Sequence, residues 1–278
     1  MSAEVVYLNG EFVPAREALV PALGEGVTLG MGLFETMRAR KGRVFRLSAH
    51  IARLRSSAQA LGIGCALRED ELAQIVAELA RVNGLDDARA RLTVLARGDQ
   101  QSDVFCRATA LRREEVEPAP VKCVILEAGT APPASIAQHK TTNWLPYILA
   151  KRAAEEAGAD EGLLVNARGE VTEATSRNLF VVREGVLLTP PVECGLLAGI
   201  TRGVVLEIAR AERIPCAEIE ITPDEARSAD ECFITSAVVG VLPVRSVDGR
   251  ILPGGAPGSV TSRLMTAYRE LAARETAL

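Results

Sequence analysis

The chain has 278 residues and a mass of 29.6 kDa, enough for a full buried core and two domains. Its 48% hydrophobic and 24% charged residues are those of an ordinary globular protein. A formal charge of −4 gives no electrostatic footprint for nucleic acid or an anionic membrane, and no apolar run approaches the roughly 18 residues a membrane span requires.

From the start, Met1-Ser2-Ala3-Glu4-Val5-Val6-Tyr7 lacks the basic and apolar regions of a signal peptide, so the expectation is a soluble cytoplasmic protein. Residues 5–13 predict two short strands around an Asn9-Gly10 turn. Gly24 to Gly32 is glycine-rich, and by itself reads as a turn. Ser48 is a plausible cap for a helix whose apolar stripe is Ile51, Leu54, Ala58 and Leu61. Arg53 lies about 200° around that helix from Ile51, off the stripe. Taken alone it is a solvated arginine. Residues 70–81 predict a second amphipathic helix, and Arg91 to Gly98 a strand and turn. The charged, proline-bearing run Arg112 to Pro120 is the best domain boundary. Segments 22–40 and 97–110 are expected to be loops.

The spacing of Leu145, Ile148, Leu149, Arg152, Ala153 and Glu156 predicts a helix. Lys140 precedes it. A short buried strand from Glu161, a turn, and then Glu173 follow. A lysine and a glutamate so placed are, on residue type alone, ordinary surface charges. Strands at 179–182 and 186–189 flank the turn Arg183-Glu184-Gly185. A helix opens near Ile200-Thr201, where free N–H groups and the macrodipole favour an anion, although a plain Thr cap reads equally well. Residues 229–244 predict strand, turn, strand, and a packing helix carrying Val260, Leu264 and Leu271 closes the chain. The six cysteines show no CxxC spacing and read as reduced thiols; with only two histidines, no metal site is expected.

Seven segments in register carry a resemblance: Lys140-Thr-Thr-Asn143, Ala157-Gly-Ala-Asp-Glu161, Val171-Thr-Glu173, Asn178-Leu-Phe180, Thr189-Pro-Pro191, Gly199-Ile-Thr-Arg202 and Pro243-Val244. With His50-x-x-Arg53-Leu54 near the start, the chain resembles the fold-type IV pyridoxal-phosphate enzymes, the class IV aminotransferases. These include branched-chain and D-amino-acid aminotransferases and aminodeoxychorismate lyases. The resemblance implies a two-domain α/β (α+β) fold, with a small N-terminal domain over 1–117 and a larger cofactor-binding domain over 118–278. It implies a homodimer, with amino and keto acids as small-molecule partners.

By the same resemblance Lys140 is the Schiff-base lysine of pyridoxal 5′-phosphate, and Glu173 the acid at its ring nitrogen. Arg53, Ile200, Thr201, Ser236 and Ala237 fall at the phosphate site, with alanine where a hydroxyl residue is common. Leu197 falls where a side chain packs on the ring. Phe34 stands near the substrate position, with Met31 in place of the usual acid. Arg97 and Arg107 are possible substrate contacts. Trp144 stands where a tyrosine often meets the cofactor. The Arg-x-His pattern of D-amino-acid aminotransferases is missing. The implied activity is amino transfer between a branched-chain or D-amino acid and a 2-keto acid. The alternatives are aminodeoxychorismate lyase, forming 4-aminobenzoate and pyruvate, and a non-catalytic relative.

Overall fold

The computed structural model describes residues 4–277, which form two compact units. The first takes the chain up to Arg112 together with His139–Asn143 and the end of the chain from Ala272. The second takes Arg113–Gln138 and Trp144–Leu271. This differs from a single cut at 117/118 because the lysine-bearing pentapeptide is bonded to a strand of the first unit, as described below.

The first unit contains β1 (Val5–Leu8), β2 (Glu11–Pro14), α1 (Glu25–Thr28), β3 (Gly32–Arg40), β4 (Arg43–Val44), α2 (Leu47–Leu61), α3 (Glu69–Val82), β5 (Asp87–Gly98) and β6 (Gln101–Ala110). The strands form one antiparallel sheet in the order β2-β1-β6-β5-β3-β4. Asn9 and Gly10, with φ of 50° and 103°, make the two-residue turn expected of that dipeptide. Strand alternation sends Leu33 and Met37 of β3, Leu92 and Val94 of β5 and Cys106 of β6 to one face. The apolar stripes of α2 and α3 close this core, with Leu72, Val76 and Leu79 of α3 fully buried.

Two local expectations are corrected. Helix α2 starts one residue earlier than Ser48: its cap is Arg46 in the left-handed region, and the Ser48 hydroxyl donates instead to Glu69 at 2.5 Å. Segments 22–40 and 97–110 are mostly not loops. They hold β3 and β6, the longest neighbours of β5, joined by full antiparallel register.

The second unit adds α4 (Arg113–Val116), β7 (Val121–Ala128), α5 (Ala134–Ala137), α6 (Leu145–Glu156), β8 (Glu161–Val165), β9 (Val171–Ala174), β10 (Arg177–Arg183), β11 (Val186–Thr189), α7 (Ile200–Ala211), β12 (Cys216–Glu218), α8 (Pro223–Arg227), β13 (Glu231–Ser236), β14 (Gly240–Val247), β15 (Arg250–Ile251) and most of α9 (Ser259–Glu275). Strands β10, β13, β14, β7, β8 and β9 pair in sequence, and β9 pairs back to β10, so six strands close into a ring. Its interior is filled by Leu163, Val171, Leu179, Ile234, Leu242 and Val244. Closure removes the sheet edges that would otherwise stay unpaired. The parallel pair β11–β12 requires a crossover, and α7 supplies it.

Helix α6 forms where expected, but with the other face inward. Tyr147, Ala150 and Ala154 are buried, while Leu145, Ile148 and Leu149 are 63%, 40% and 53% exposed. Its apolar stripe therefore lies on the surface of this chain. Among the described residues no helix is long and apolar enough to cross a membrane.

Candidate active site

In the first unit, residues 139–143 run along β3. The Phe34 N–H donates to the Lys140 carbonyl (2.9 Å), the Thr142 N–H donates to the Gly32 carbonyl (2.9 Å), and Leu33 bridges Thr141. The glycines allow that approach. A Cβ on Gly32 would lie 2.6 Å from Thr142 Oγ1, and one on Gly30 (φ 71°) would lie 2.3 Å from Asn143 Oδ1. The glycine-rich stretch is thus a seat for the lysine segment.

Lys140, 87 residues from Arg53, belongs to the same unit. Next to it, His139 Nδ1 lies 3.1 Å from the hydroxyl of Ser57, one helical turn beyond Arg53. Lys140 Nζ sits 4.6 Å from the centre of the Phe34 ring, and the Arg91 guanidinium carbon is 3.7 Å from the same ring. Both are cation–π contacts. Loss of solvation and the like charge of Arg89 push the Arg91 pKa below its usual value.

Arg53 is not solvated. Its Nε donates to Glu35 Oε1 (2.8 Å) and its Nη2 to Glu35 Oε2 (2.6 Å), while His50 Nδ1 lies 2.7 Å from the same carboxylate. Glu35 shares the core-facing side of β3 with Leu33 and Met37 and is 1% exposed. Burial pushes its carboxyl up, but the charge of Arg53 and the hydrogen bonds from His50 and Arg53 outweigh it, leaving a pKa of about 2. The sign follows directly: a carboxyl lower in the folded state than unfolded stabilises above about pH 4.5 and loses that stability as pH falls towards 2. Glu35→Gln should therefore flatten the acid limb of stability against pH between those values by about one proton. It should also lower stability by roughly 3 kcal/mol, because one member of a buried pair is lost. Urea titrations of both proteins from pH 2 to 7 check this; parallel acid limbs would refute it.

In the second unit, Glu173 on β9 is 6% exposed. Its Oε2 accepts from Asn178 Nδ2 (3.1 Å) and from the Leu197 N–H (3.3 Å), and Asn178 Nδ2 also donates to the Leu197 carbonyl (2.8 Å). Asn178 thus ties Glu173 to the segment that leads into α7. The tie is close: a Cβ on Gly199 would sit 1.8 Å from Asn178 Oδ1, so only glycine fits there. Gly199, not Thr201, caps α7, and among the described residues no side-chain cap is made there. Ile200 and Thr201 open the helix, with Thr201 buried. Ser236 and Ala237 sit at the β13–β14 turn, where the Ser236 hydroxyl accepts from the Val239 N–H (3.4 Å). Trp144 precedes α6 and stacks on Tyr147, with ring centres 4.4 Å apart. Burial, then the charge of Glu173, raises the Tyr147 pKa.

Two predicted contacts are engaged elsewhere. Arg97 pairs with Asp103 across the β5–β6 turn, and Arg107 forms a two-pronged pair with Glu4 at 2.6 and 2.9 Å. Sequence reasoning gave no role to Glu35, His50, Arg91, Asn178 and Tyr147, although His50 and Asn178 stand in the motifs it used. A signal existed for Glu35: strand alternation through Leu33 and Met37 places it in the core, where a carboxylate needs partners. Arg91 and Tyr147 carry no such signal.

Comparison with known proteins identifies the family. Residues 32–247 match the family model for amino-transferase class IV. The chain is 37% identical to a putative branched-chain-amino-acid aminotransferase of Methanocaldococcus jannaschii, with 96% of each chain covered. It is 34% identical to a D-alanine aminotransferase of Bacillus licheniformis, with 98% of each covered. Among solved structures, a branched-chain aminotransferase of Thermoproteus uzoniensis with norvaline matches at a TM-score of 0.90 and 31% identity, covering 99% of this chain and 96% of that one. The chain belongs to the class IV aminotransferases. It has their mixed α/β fold and their cofactor, pyridoxal 5′-phosphate, and is a transaminase. The lyase alternative is not favoured, since these relatives are all aminotransferases.

Proposed function

We propose that the chain moves the amino group of a branched-chain L-amino acid to a 2-keto acid, with Lys140 as the catalytic amine. The observation that carries this is the disposition of arginines in the first unit. Arg97 and Arg107 are held by Asp103 and Glu4, whereas Arg91 is accessible, makes no ion pair among the described residues, and lies on the ring that also meets Lys140. Arg91 would receive the substrate's carboxylate beside the buried ring that also meets Lys140. A guanidinium fork suits that carboxylate.

The residues fit the family's cofactor. A phosphorylated pyridine needs an amine, an acid for its ring nitrogen and an anion seat. The first unit offers the Lys140 amine and the Arg53 cation; the second offers a buried Glu173 fixed by two N–H donors and the start of α7. When bound, the cofactor supplies the electron sink that stabilises negative charge on the substrate's Cα. Lys140 would hold the cofactor, and its Nζ would serve as the base that moves the substrate's Cα proton. Glu173 would face the ring nitrogen and favour its protonated form. Glu35 and His50 orient Arg53.

A homodimer fits the exposed stripe of Leu145, Ile148 and Leu149 on α6, and six free cysteines fit the reducing cytoplasm. Sedimentation as a monomer at micromolar concentration would refute the dimer. For substrate, the donor half-reaction is the test. Purified holoenzyme should convert its bound cofactor to the amine form with L-leucine at least about tenfold faster than with D-alanine. The reverse order would make the chain a D-amino-acid transaminase.

A further inference from the structure

The second unit carries a groove of about 730 Å³ on the outside of its ring of strands, a volume within the usual range of small-molecule sites. Lys122 and Val124 of β7, Arg245 and Ser246 of β14, Ile251 of β15 and the 157–159 turn after α6 line it. These residues meet there because β14 is bulged. Val244 pairs with Val121 and Ser246 with Lys122, so Arg245 is an extra residue on its strand. Val244 and Val247 both fill the ring interior, which leaves Arg245 and Ser246 side by side on the outer face. Cys123 is interior too, so Lys122 and Val124 face outward by alternation. Lys122 and Ser246 are ladder partners on neighbouring strands, whose backbones run about 5 Å apart. The bulge thus gathers an ammonium, a guanidinium and a hydroxyl at one place.

None of the three is used by the fold. Lys122 Nζ and the Arg245 guanidinium make no ion pair among the described residues. The groove's carboxylate, Asp248, is committed elsewhere: it accepts from Arg227 Nε (2.6 Å) and from the Ile125 N–H (2.7 Å). Ser246 is 6% exposed, yet its hydroxyl has no hydrogen-bond partner among the described residues, and its side chain borders the groove. A buried hydroxyl so left calls for an acceptor, and two unpaired cations beside it call for an anion. A phosphomonoester carries close to two negative charges at pH 7, against one for a carboxylate, and so matches both cations at a single group. Val124 and Ile251 give its organic body an apolar wall. We propose that this groove binds a small phosphomonoester, its phosphate held by Lys122, Arg245 and Ser246. The site lies about 20 Å along β14 from Gly240, and so apart from the β13–β14 turn that bears Ser236 and Ala237.

The test is calorimetric titration of the holoenzyme, whose bound cofactor already brings its own phosphate, with phenyl phosphate, phenylacetate and inorganic phosphate in turn. Phenyl phosphate should bind once per chain with a Kd below about 1 mM, at least about tenfold tighter than either of the others. Lys122→Met and Arg245→Met should each weaken it at least about tenfold, and Ser246→Ala about threefold. Arg250→Met, which removes an exposed arginine of β15 outside the groove, should change it less than about twofold. Lys122 and Arg245 are exposed, so their variants keep the fold even where Ser246→Ala does not. Absence of saturable phenyl phosphate binding would overturn the proposal, as would wild-type affinity in both Lys122→Met and Arg245→Met. Phenylacetate binding as tightly would make the groove a carboxylate site, and inorganic phosphate binding as tightly a bare anion site; either result overturns the assignment of a phosphomonoester. An equal loss in Arg250→Met would reduce the effect to general surface charge and overturn it too.

Discussion

Lys140→Ala should abolish amino transfer, with kcat falling by at least about 10⁴-fold. The loss is large because two duties rest on one amine: holding the cofactor and moving the Cα proton. No other lysine is placed to take them over in the 139–143 segment, whose backbone is fastened to β3 by the Phe34–Lys140 and Thr142–Gly32 hydrogen bonds. Those bonds involve main-chain atoms, so the variant should fold with little change in Tm. Cofactor should still bind, because Glu173 and the α7 N-terminus are untouched, but it should no longer be trapped by reduction. Added methylamine should restore some exchange, as a small free amine can take the proton. Single-turnover rates with and without amine check this. Activity retained without added amine would show that another group is the catalyst, and would revive a non-catalytic role for Lys140.

Glu173→Gln should lower kcat by roughly 10²–10³-fold while leaving folding intact. Glutamine keeps the shape, and its oxygen can still accept from Asn178 Nδ2 and the Leu197 N–H. What it loses is the charge that holds a proton on the ring nitrogen. The deficit should therefore fall on the proton-transfer step, with a larger Cα deuterium isotope effect and a donor KM within a few-fold of wild type. If Glu173→Gln changed KM alone, the residue would be a binding group and its assigned role would be wrong.

On residue type alone Lys140 and Glu173 read as surface charges, and it was the resemblance carried by short ordered segments that singled them out as candidates. Lys140 lies between α5 and α6, Glu173 near the end of β9, and Ile200 and Thr201 at the start of α7. Partners brought in from distant strands were much harder to read. Glu35 meets Arg53 and His50 only after β3 and α2 pack, and Arg91 meets Phe34 only through the β3–β5 register. The helix α6 was legible, but the burial of its stripe was not. Periodicity shows that one face is apolar but not what covers it, and here small residues, Ala150 and Ala154, allow the opposite face to pack inward. Arg53 shows the converse error. Its angle from the apolar stripe was right, but solvent was the wrong destination for a side chain that neutralises a buried glutamate.

The most direct measurement is borohydride reduction of the holoenzyme, followed by peptide mapping by mass spectrometry. Reduction fixes the cofactor permanently to whichever amine holds it. The expected result is one stoichiometric adduct on the peptide containing Lys140, lost when the enzyme is first converted with L-leucine. An adduct on Lys122 or Lys151, or no adduct from a protein that shows the bound-cofactor absorbance, would contradict the assignment of Lys140 and the mechanism built on it.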